Sequence, residues 1–139
     1  MAEIITATAR DCDESPMGAI IDVSGHRIVG DEPEAMGGRN LGPSPFDLVT
    51  AALAECTALT VRWYAAQKNW PLDHVHVVVE HSREAVEGHA GRIDTFRKVV
   101  KLEGAALSED QKERLQSVAG RCPVQKLLEG PVAITTLAG

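Results

Sequence analysis

The sequence predicts one α+β domain, residues 1–139, with the element order βββ-α-ββ-αα-β. Two observations support this prediction: segments of strand-like alternation occur in groups, and one unusually long helical segment lies near the middle of the chain. Grouped strands are typical of an α+β fold, whereas strict alternation of strands with helices would indicate a parallel α/β sheet. The chain is long enough for one domain with its own core and short for two of ordinary size.

The first part of the chain is predicted to form three short strands and a loop. Ser24-Gly25 predicts a tight hairpin turn between the second and third strands. Asp31 to Leu41 contains Pro33 and two glycines and has no periodicity, so it is predicted to be a loop, and it carries Arg39. The three predicted strands are Ile4–Ala9, Gly18–Val23 and His26–Val29.

A long central helix is predicted from Pro45 to about Lys68. Ser44 is a suitable N-cap, and Asp47 lies where the acid of a capping box belongs. Apolar residues recur at helical spacing on nearly every side of this helix, and Cys56 lies in the middle of one apolar stripe. A helix of this kind needs more cover than the remaining elements offer, so the sequence predicts a two-fold dimer.

The second half of the chain is predicted to form a strand pair, two helices and a last strand. Residues 81–91 are charged and contain glycine, which predicts a solvated connection between the two strands. Ser108 and Gln111 predict a second capping box, and Gly120 is the expected residue after the end of that helix. The predicted elements are strands from Leu72 to Glu80 and from Ile93 to Leu102, helices from Ser108 to Val118 and from Pro123 to Leu128, and a strand from Val132 to Leu137.

Composition and charge narrow the class of protein. The formal net charge is −6, which argues against a nucleic-acid partner. The N-terminal residues lack the pattern of a signal peptide, and no apolar run approaches the ~18 residues of a membrane span. We therefore expect a cytoplasmic protein without a membrane partner. Its three cysteines are expected to be reduced thiols rather than a disulfide framework.

Two cysteines are candidates for chemistry, and each has a structural alternative. Cys122 precedes Pro123 at the start of a predicted helix, where the helix dipole and the neighbouring Arg121 would stabilise a thiolate. The alternative is a small residue at a junction. Cys56 is either a nucleophile or a small buried apolar residue, which is the commoner role of a cysteine in the middle of a helix. Nothing in their spacing indicates that the two meet.

Other residues give weaker signals. His74 and His76 project from the same face of a predicted strand and could form half of a metal site, but no further ligand is placed to complete it. Asp47 could orient an arginine near a thiolate, and Arg39 and Arg62 are the arginines nearest the long helix in the sequence. Cys12 lies in a predicted polar turn with no supporting feature.

The segment Gly42-Pro43-Ser44-Pro45-Phe46-Asp47-Leu48, a helix with Cys56 and a distal Cys122-Pro123-Val124 together resemble the OsmC/Ohr family of osmotically inducible and organic-hydroperoxide-resistance proteins. The resemblance covers nearly the whole chain and is closer to the general OsmC-like branch. It implies an intertwined homodimer and a thiol-dependent peroxidase that needs no metal or organic cofactor. It also implies that Cys56 is the peroxidatic thiol and Cys122 the resolving one.

The resemblance further implies that an acid at the start of the helix, matched by Asp47, pairs with an arginine, for which Arg39 is the candidate. The expected partners are an organic hydroperoxide as substrate and an external dithiol as reductant. The alternative function is a non-catalytic dimer that binds a small apolar ligand or reports oxidation through the same pocket.

Overall fold

The computed structural model describes residues 3–139, and this part of the chain has the predicted α+β class. The element order is three strands, a short 3₁₀ helix, one long helix, two strands and two further helices. The chain divides into two units, Met1–Val49 and Thr50–Gly139, with the boundary inside the long helix. Each unit is described by itself below, and the single-domain organisation stays a prediction.

The first unit contains an antiparallel three-stranded sheet in the order β1-β2-β3. Its turn residues Ser24 and Gly25 have φ of 50° and 80°, the left-handed conformation that a two-residue hairpin turn requires at both positions. β1 begins three residues later than predicted because Ala7 pairs with Val23, the last residue of β2, and earlier residues have no partner there. The strands are β1 (Ala7–Asp11), β2 (Ala19–Val23) and β3 (His26–Gly30).

A buried aspartate organises the loop that follows β3. Asp31 is 3% exposed and accepts hydrogen bonds from the Ser15 hydroxyl (2.9 Å) and from the backbone N–H groups of Glu32, Arg39 and Leu41 (2.8, 3.1 and 3.2 Å). Burial raises the pKa of the Asp31 carboxyl, but these hydrogen bonds together lower it below its ordinary value. The loop before the long helix, which includes a 3₁₀ turn, is thereby held in one conformation.

The long helix, α1 (Pro45–Gln67), starts as predicted with a capping box. The Ser44 N–H donates to Asp47 Oδ2 (2.9 Å), and the Asp47 N–H donates to Ser44 Oγ (3.2 Å). The hydrogen bond from the Ser44 backbone N–H is the main cause that lowers the pKa of the Asp47 carboxyl. Just before the cap, Gly42 passes so close to the backbone that a Cβ would lie 1.7 Å from the Val29 carbonyl oxygen, so the position requires glycine.

The second unit contains a long antiparallel ribbon of β4 (His74–Ala85) and β5 (Arg92–Glu103). β4 continues past the predicted end, so the prediction of a solvated connection over residues 81–91 is wrong for its first five residues. The extension is held across the ribbon, where Asp94 forms a hydrogen bond with His81 (2.9 Å) and an ion pair with Arg83 (3.2 Å). Such cross-strand pairs stabilise the ribbon. They join residues that are distant in the sequence, so the composition of residues 81–85 alone does not predict them.

Two helices follow the ribbon, α2 (Glu109–Ala119) and α3 (Pro123–Glu129). The predicted capping box at the start of α2 is confirmed, because the Gln111 N–H donates to Ser108 Oγ (3.1 Å) and the Ser108 N–H donates to Gln111 Oε1 (3.0 Å). Gly120 ends α2 as predicted, although its φ is −76° and it does not take the left-handed conformation that is common after a helix. A tight turn instead leads directly into α3.

The core of the second unit lies between the C-terminal half of α1, α2 and the inward face of the ribbon. Val61 from α1 and Leu115 from α2 are both 0% exposed, and Val100 and Leu102 of β5 pack against them. The buried members of the cluster are Val61, Ala65, Leu72, Leu107, Leu115 and Ala119. This packing fixes α1 relative to the turn between α2 and α3.

Within this single chain α1 is buried on one face, and the cover of its other sides by a partner chain stays a prediction. Leu53, Thr57, Val61 and Ala65 form its buried face. The stripe that contains Cys56 lies to one side of that face, and Leu59 and Trp63 on this stripe are 59% and 62% exposed. Every fourth residue of this part of α1 faces the core of the second unit, and the neighbouring apolar stripe does not.

The predicted last strand, Val132–Leu137, is not formed. Residues 131–139 carry no secondary structure, and no strand of the described chain pairs with them. Ile134 and Leu137 are 87% and 84% exposed. A strand requires a neighbour for its N–H and C=O groups, and the apolar alternation of the segment does not supply one. In residues 3–139, no helix has the length and apolar character needed to cross a membrane.

Candidate active site: a pair of cysteines

Cys56 and Cys122, 66 residues apart in the sequence, lie together in the second unit, where the Cys56 side chain lowers the pKa of Cys122. Cys56 lies in the middle of α1, and Cys122 is the N-cap residue of α3. The α3 backbone also contacts Cys56 directly, because the Val124 N–H donates to Cys56 Sγ (3.4 Å). Tertiary packing therefore places both thiols at the beginning of the same short helix.

The thiol of Cys122 is fully buried and surrounded by polar contacts. Its side chain is 0% exposed, and its Sγ lies 3.4 Å from Thr57 Oγ1. Burial raises the pKa of the Cys122 thiol, but hydrogen bonds from Thr57, the Gln125 backbone and Cys56, with the charge of Lys98, lower it below its ordinary value. The surroundings of Cys122 thus favour a thiolate although the residue is buried.

The thiol of Cys56 is half-buried and borders an apolar pocket of about 630 Å³. On the helix, Cys56 Sγ lies 4.0 Å from Thr60 Oγ1. The pocket is lined by Ala52, Glu55, Cys56, Leu59, Thr60, Trp63, Arg121, Pro123 and Val124. Cys122 is not among the lining residues, so a small molecule in this pocket would meet Cys56 first.

The pocket contains one acidic and one basic side chain. Glu55 belongs to α1, and Arg121 directly precedes Cys122. The Arg121 Nε donates to the Ser117 carbonyl (3.3 Å), which ties this guanidinium to the end of α2. The rest of the lining is Ala, Leu, Trp, Pro, Val and Thr with the thiol of Cys56, and this composition suits an organic rather than an ionic molecule.

Lys98 is a site residue that the sequence analysis missed. Its Nζ donates to Thr57 Oγ1 (3.0 Å) and to the Ala119 carbonyl (2.6 Å), and its charge acts on Cys122. A signal existed in the sequence, because period-two alternation places Lys98 on the same face of β5 as Val100 and Leu102, which pack on the core. Lysine is rarely buried unless its charge has a specific partner, so a lysine on the inward face of a strand indicates a specific interaction of its ammonium group.

Asp47 and Arg39, the other predicted site residues, lie in the first unit. The Asp47 carboxylate accepts from Ser44, and Arg39 Nη1 donates to the Glu14 carbonyl (2.9 Å). Each of these two side chains therefore has a hydrogen-bond partner within the first unit. Arg62, the second candidate arginine, donates to the carbonyls of Leu72 and Asp73 and fixes the turn after α1.

His74 and His76 are exposed on β4, and Cys12 lies in the turn after β1. Within residues 3–139, no group of three or more His, Cys, Asp or Glu side chains could hold a metal ion.

The chain is similar to proteins of one sequence family. The model of that family, described as OsmC-like protein, matches residues 37–137, which is most of the chain. No curated protein matches the sequence.

Solved structures share the fold at low sequence identity. A crystal structure of an organic hydroperoxide resistance protein OsmC from Legionella pneumophila is 18% identical, covers 94% of this chain and 92% of its own, and has a TM-score of 0.66. An OsmC-like protein from Mycoplasma pneumoniae is 22% identical, with coverages of 94% and 90% and a TM-score of 0.68. The organic hydroperoxide resistance protein OhrB of Bacillus subtilis is 21% identical, with coverages of 92% and 92% and a TM-score of 0.63.

Proposed function

Because the chain belongs to the OsmC-like protein family, we propose that it is a thiol-dependent peroxidase that reduces organic hydroperoxides. The observation that supports this proposal most is the adjacent pair of Cys56 and Cys122, of which one thiol borders an apolar pocket and the other is buried behind it. Two of the similar structures are organic hydroperoxide resistance proteins, which agrees with a redox role.

The proposed reaction has two steps on the protein. The Cys56 thiolate attacks the terminal oxygen of the hydroperoxide, the O–O bond breaks, and the alcohol leaves after taking a proton, so that Cys56 becomes a sulfenic acid. The Cys122 thiolate then attacks the Cys56 sulfur, the S–O bond breaks as the disulfide forms, and the hydroxide that leaves becomes water. An external dithiol reduces the disulfide and restores both thiols.

The exposure of the two thiols supports this division of roles. Cys56 borders the pocket where a substrate can enter, whereas Cys122 is 0% exposed and lies next to Cys56. A buried thiol cannot meet an external peroxide first, but it is well placed to attack a sulfenic acid beside it. The Val124 N–H at 3.4 Å from Cys56 Sγ would stabilise negative charge on that sulfur in the first step.

We further propose that Arg39 and Asp47 assist Cys56, as the family resemblance implies for an arginine and an acid at the start of the helix. The contact of Arg39 with the Glu14 carbonyl is to a neutral group, which a stronger anionic partner could replace. The Arg39→Met variant should then slow the oxidation of Cys56 without changing the disulfide step.

The test is intact mass spectrometry of reduced protein after an equimolar addition of cumene hydroperoxide. The wild type should lose two hydrogen atoms within seconds as the disulfide forms, and Cys122→Ser should gain one oxygen atom as the sulfenic acid accumulates. An unchanged wild-type mass over minutes would overturn the peroxidase and favour a non-catalytic protein that binds a small apolar ligand. Arg39→Met in the Cys122→Ser background measures the first step alone.

We also propose that the protein is a two-fold homodimer. The second unit exposes large apolar side chains on α1, α3 and the C-terminal segment: Leu59, Trp63, Leu127, Ile134 and Leu137. Burying such side chains stabilises an assembly by about 25 cal/mol per Å² of apolar surface, and a second chain could pair with residues 132–137.

Light scattering should give twice the 14.9 kDa mass of one chain. Leu127→Glu, at a side chain 58% exposed, should shift the protein towards the monomer, whereas Val86→Glu in the ribbon turn should not. A wild type that remains monomeric at micromolar concentration would contradict the dimer.

A further inference from the structure

The ammonium group of Lys98 is hydrogen-bonded but has no carboxylate partner within the described residues. It is half-buried on the inward face of β5 and donates only to neutral oxygens, the Thr57 hydroxyl and the Ala119 carbonyl. Among residues 3–139, no carboxylate lies within ion-pair distance of its Nζ. Burying an ammonium group costs free energy unless an anion or hydrogen-bond acceptors compensate for the lost water. A nearby anion would therefore stabilise the charged form of Lys98.

The hydroxyl of Thr57 connects Lys98 to Cys122. Thr57 Oγ1 accepts from Lys98 Nζ, donates to the Leu53 carbonyl (2.8 Å) and lies 3.4 Å from Cys122 Sγ. A hydroxyl has one hydrogen and two acceptor sites. While Cys122 is a thiol, its S–H can therefore donate to Oγ1. Once Cys122 is a thiolate, the hydroxyl hydrogen can turn from Leu53 to the sulfur.

We propose that Lys98 is a positioning residue that acts through Thr57 to hold Cys122 as a thiolate, so that the resolving thiol is ready before Cys56 is oxidised. No carboxylate of the described chain pairs with the ammonium group of Lys98, and the Cys122 thiolate would be its anionic partner. The donation from Lys98 polarises the Thr57 hydroxyl and makes it a better donor to the sulfur. The contribution to the disulfide step rests on the proposed peroxidase function, but the charge state of Cys122 does not.

The other charged and titratable groups around Cys122 are few. Cys56 approaches it from α1, and Arg121 adjoins it in the chain but directs its Nε to the Ser117 carbonyl. Glu55 lines the pocket beside Cys56. Burial raises the pKa of Cys122, hydrogen bonds from Thr57, the Gln125 backbone and Cys56 lower it, and the charge of Lys98 lowers it further.

The ultraviolet absorbance of the thiolate measures this directly and needs no access of a reagent to a buried thiol. In a Cys12→Ser/Cys56→Ser background, Cys122 is the sole thiol. Adding Lys98→Met should move the absorbance transition to a pH about one unit higher, since an opposite charge close to a thiol typically lowers its pKa by 1–3 units. Lys98→Arg keeps the positive charge, so the pH of its absorbance transition should lie close to that of the background protein.

The matched control is Lys101→Met, on the same strand, whose side chain is 69% exposed and pairs with Glu103. Its titration should equal that of the background protein. If Lys98→Met titrates like Lys101→Met, the proposal is wrong. If Lys98→Met does not fold, Thr57→Val and Thr57→Ser test the connecting hydroxyl: its loss should raise the pKa of Cys122 and its retention should not, and an unchanged titration in Thr57→Val would overturn the proposal.

The titration also predicts how Lys98→Met changes the rate at which Cys122 forms the disulfide with oxidised Cys56. At a pH below the absorbance transitions of both proteins, a pKa raised by about one unit lowers the thiolate fraction about tenfold and raises the intrinsic nucleophilicity of the thiolate about threefold, so Lys98→Met should form the disulfide about threefold more slowly there. Rapid-quench mass spectrometry separates this step from sulfenic acid formation, which should be unchanged. A protein that never forms sulfenic acid would overturn the peroxidase while leaving the thiolate titration as a test of Lys98.

Discussion

The Cys56→Ser variant should lose peroxidase turnover by at least about 10³-fold, or ~4 kcal/mol of transition-state stabilisation. A serine hydroxyl is not ionised near neutral pH and cannot form a sulfenic acid, so neither the first step nor the disulfide is available to it. The pocket and the Val124 N–H would remain in place, because serine differs from cysteine by one atom. The measurement is hydroperoxide consumption with dithiothreitol as the reductant.

Cys12→Ser is the matched control, since Cys12 lies in the turn after β1 and has no part in the proposed reaction. Its turnover should equal that of the wild type. Full activity in Cys56→Ser with none in Cys122→Ser would show that Cys122 is the attacking thiol and would reverse the proposed roles. Loss of activity in Cys12→Ser at unchanged thermal stability would bring the third thiol into the reaction.

The Leu115→Ala variant should lower the free energy of unfolding by about 2–5 kcal/mol. Leu115 is 0% exposed and packs in the core cluster of the second unit, between α2, the C-terminal half of α1 and the ribbon. Alanine leaves a cavity that the surrounding side chains only partly fill. For a chain of this size the melting temperature should fall by about 6–20 °C, as measured by circular dichroism.

Met36→Ala is the control for the loss of a large side chain at a surface position, because Met36 is 65% exposed. Its free energy of unfolding should change by no more than about 0.5 kcal/mol. Equal losses in Leu115→Ala and Met36→Ala would contradict the core described here. Because α2 leads through a three-residue turn to α3, Leu115→Ala should also weaken the contact between Cys122 and Thr57.

Local sequence patterns were sufficient for the features that depend on neighbouring residues. Both capping boxes, at Ser44 and Ser108, and the Ser24-Gly25 turn lie where they were predicted, because each depends on hydrogen bonds or backbone angles within a few residues. The family could also be identified from the two cysteine motifs, and the comparison confirmed it.

Features that depend on residues distant in the sequence were predicted incompletely. The end of β4 was misplaced, because pairing with Asp94 across the ribbon outweighs the polar composition of residues 81–85. The last strand was expected from its apolar alternation but has no neighbouring strand within the described chain. In both cases the partner strand, which local composition cannot identify, decides whether a segment is extended and paired.

The candidate site shows the same division. The sequence by itself determined that a thiol lies in the middle of a long helix and another before a proline-initiated one. Only the tertiary structure decided that Cys56 and Cys122 meet, that Cys56 borders a pocket and that Lys98 lies beside them. The reason is physical: helix signals act over about one turn, whereas the meeting of these residues depends on how α1, α2 and β5 pack around Val61 and Leu115.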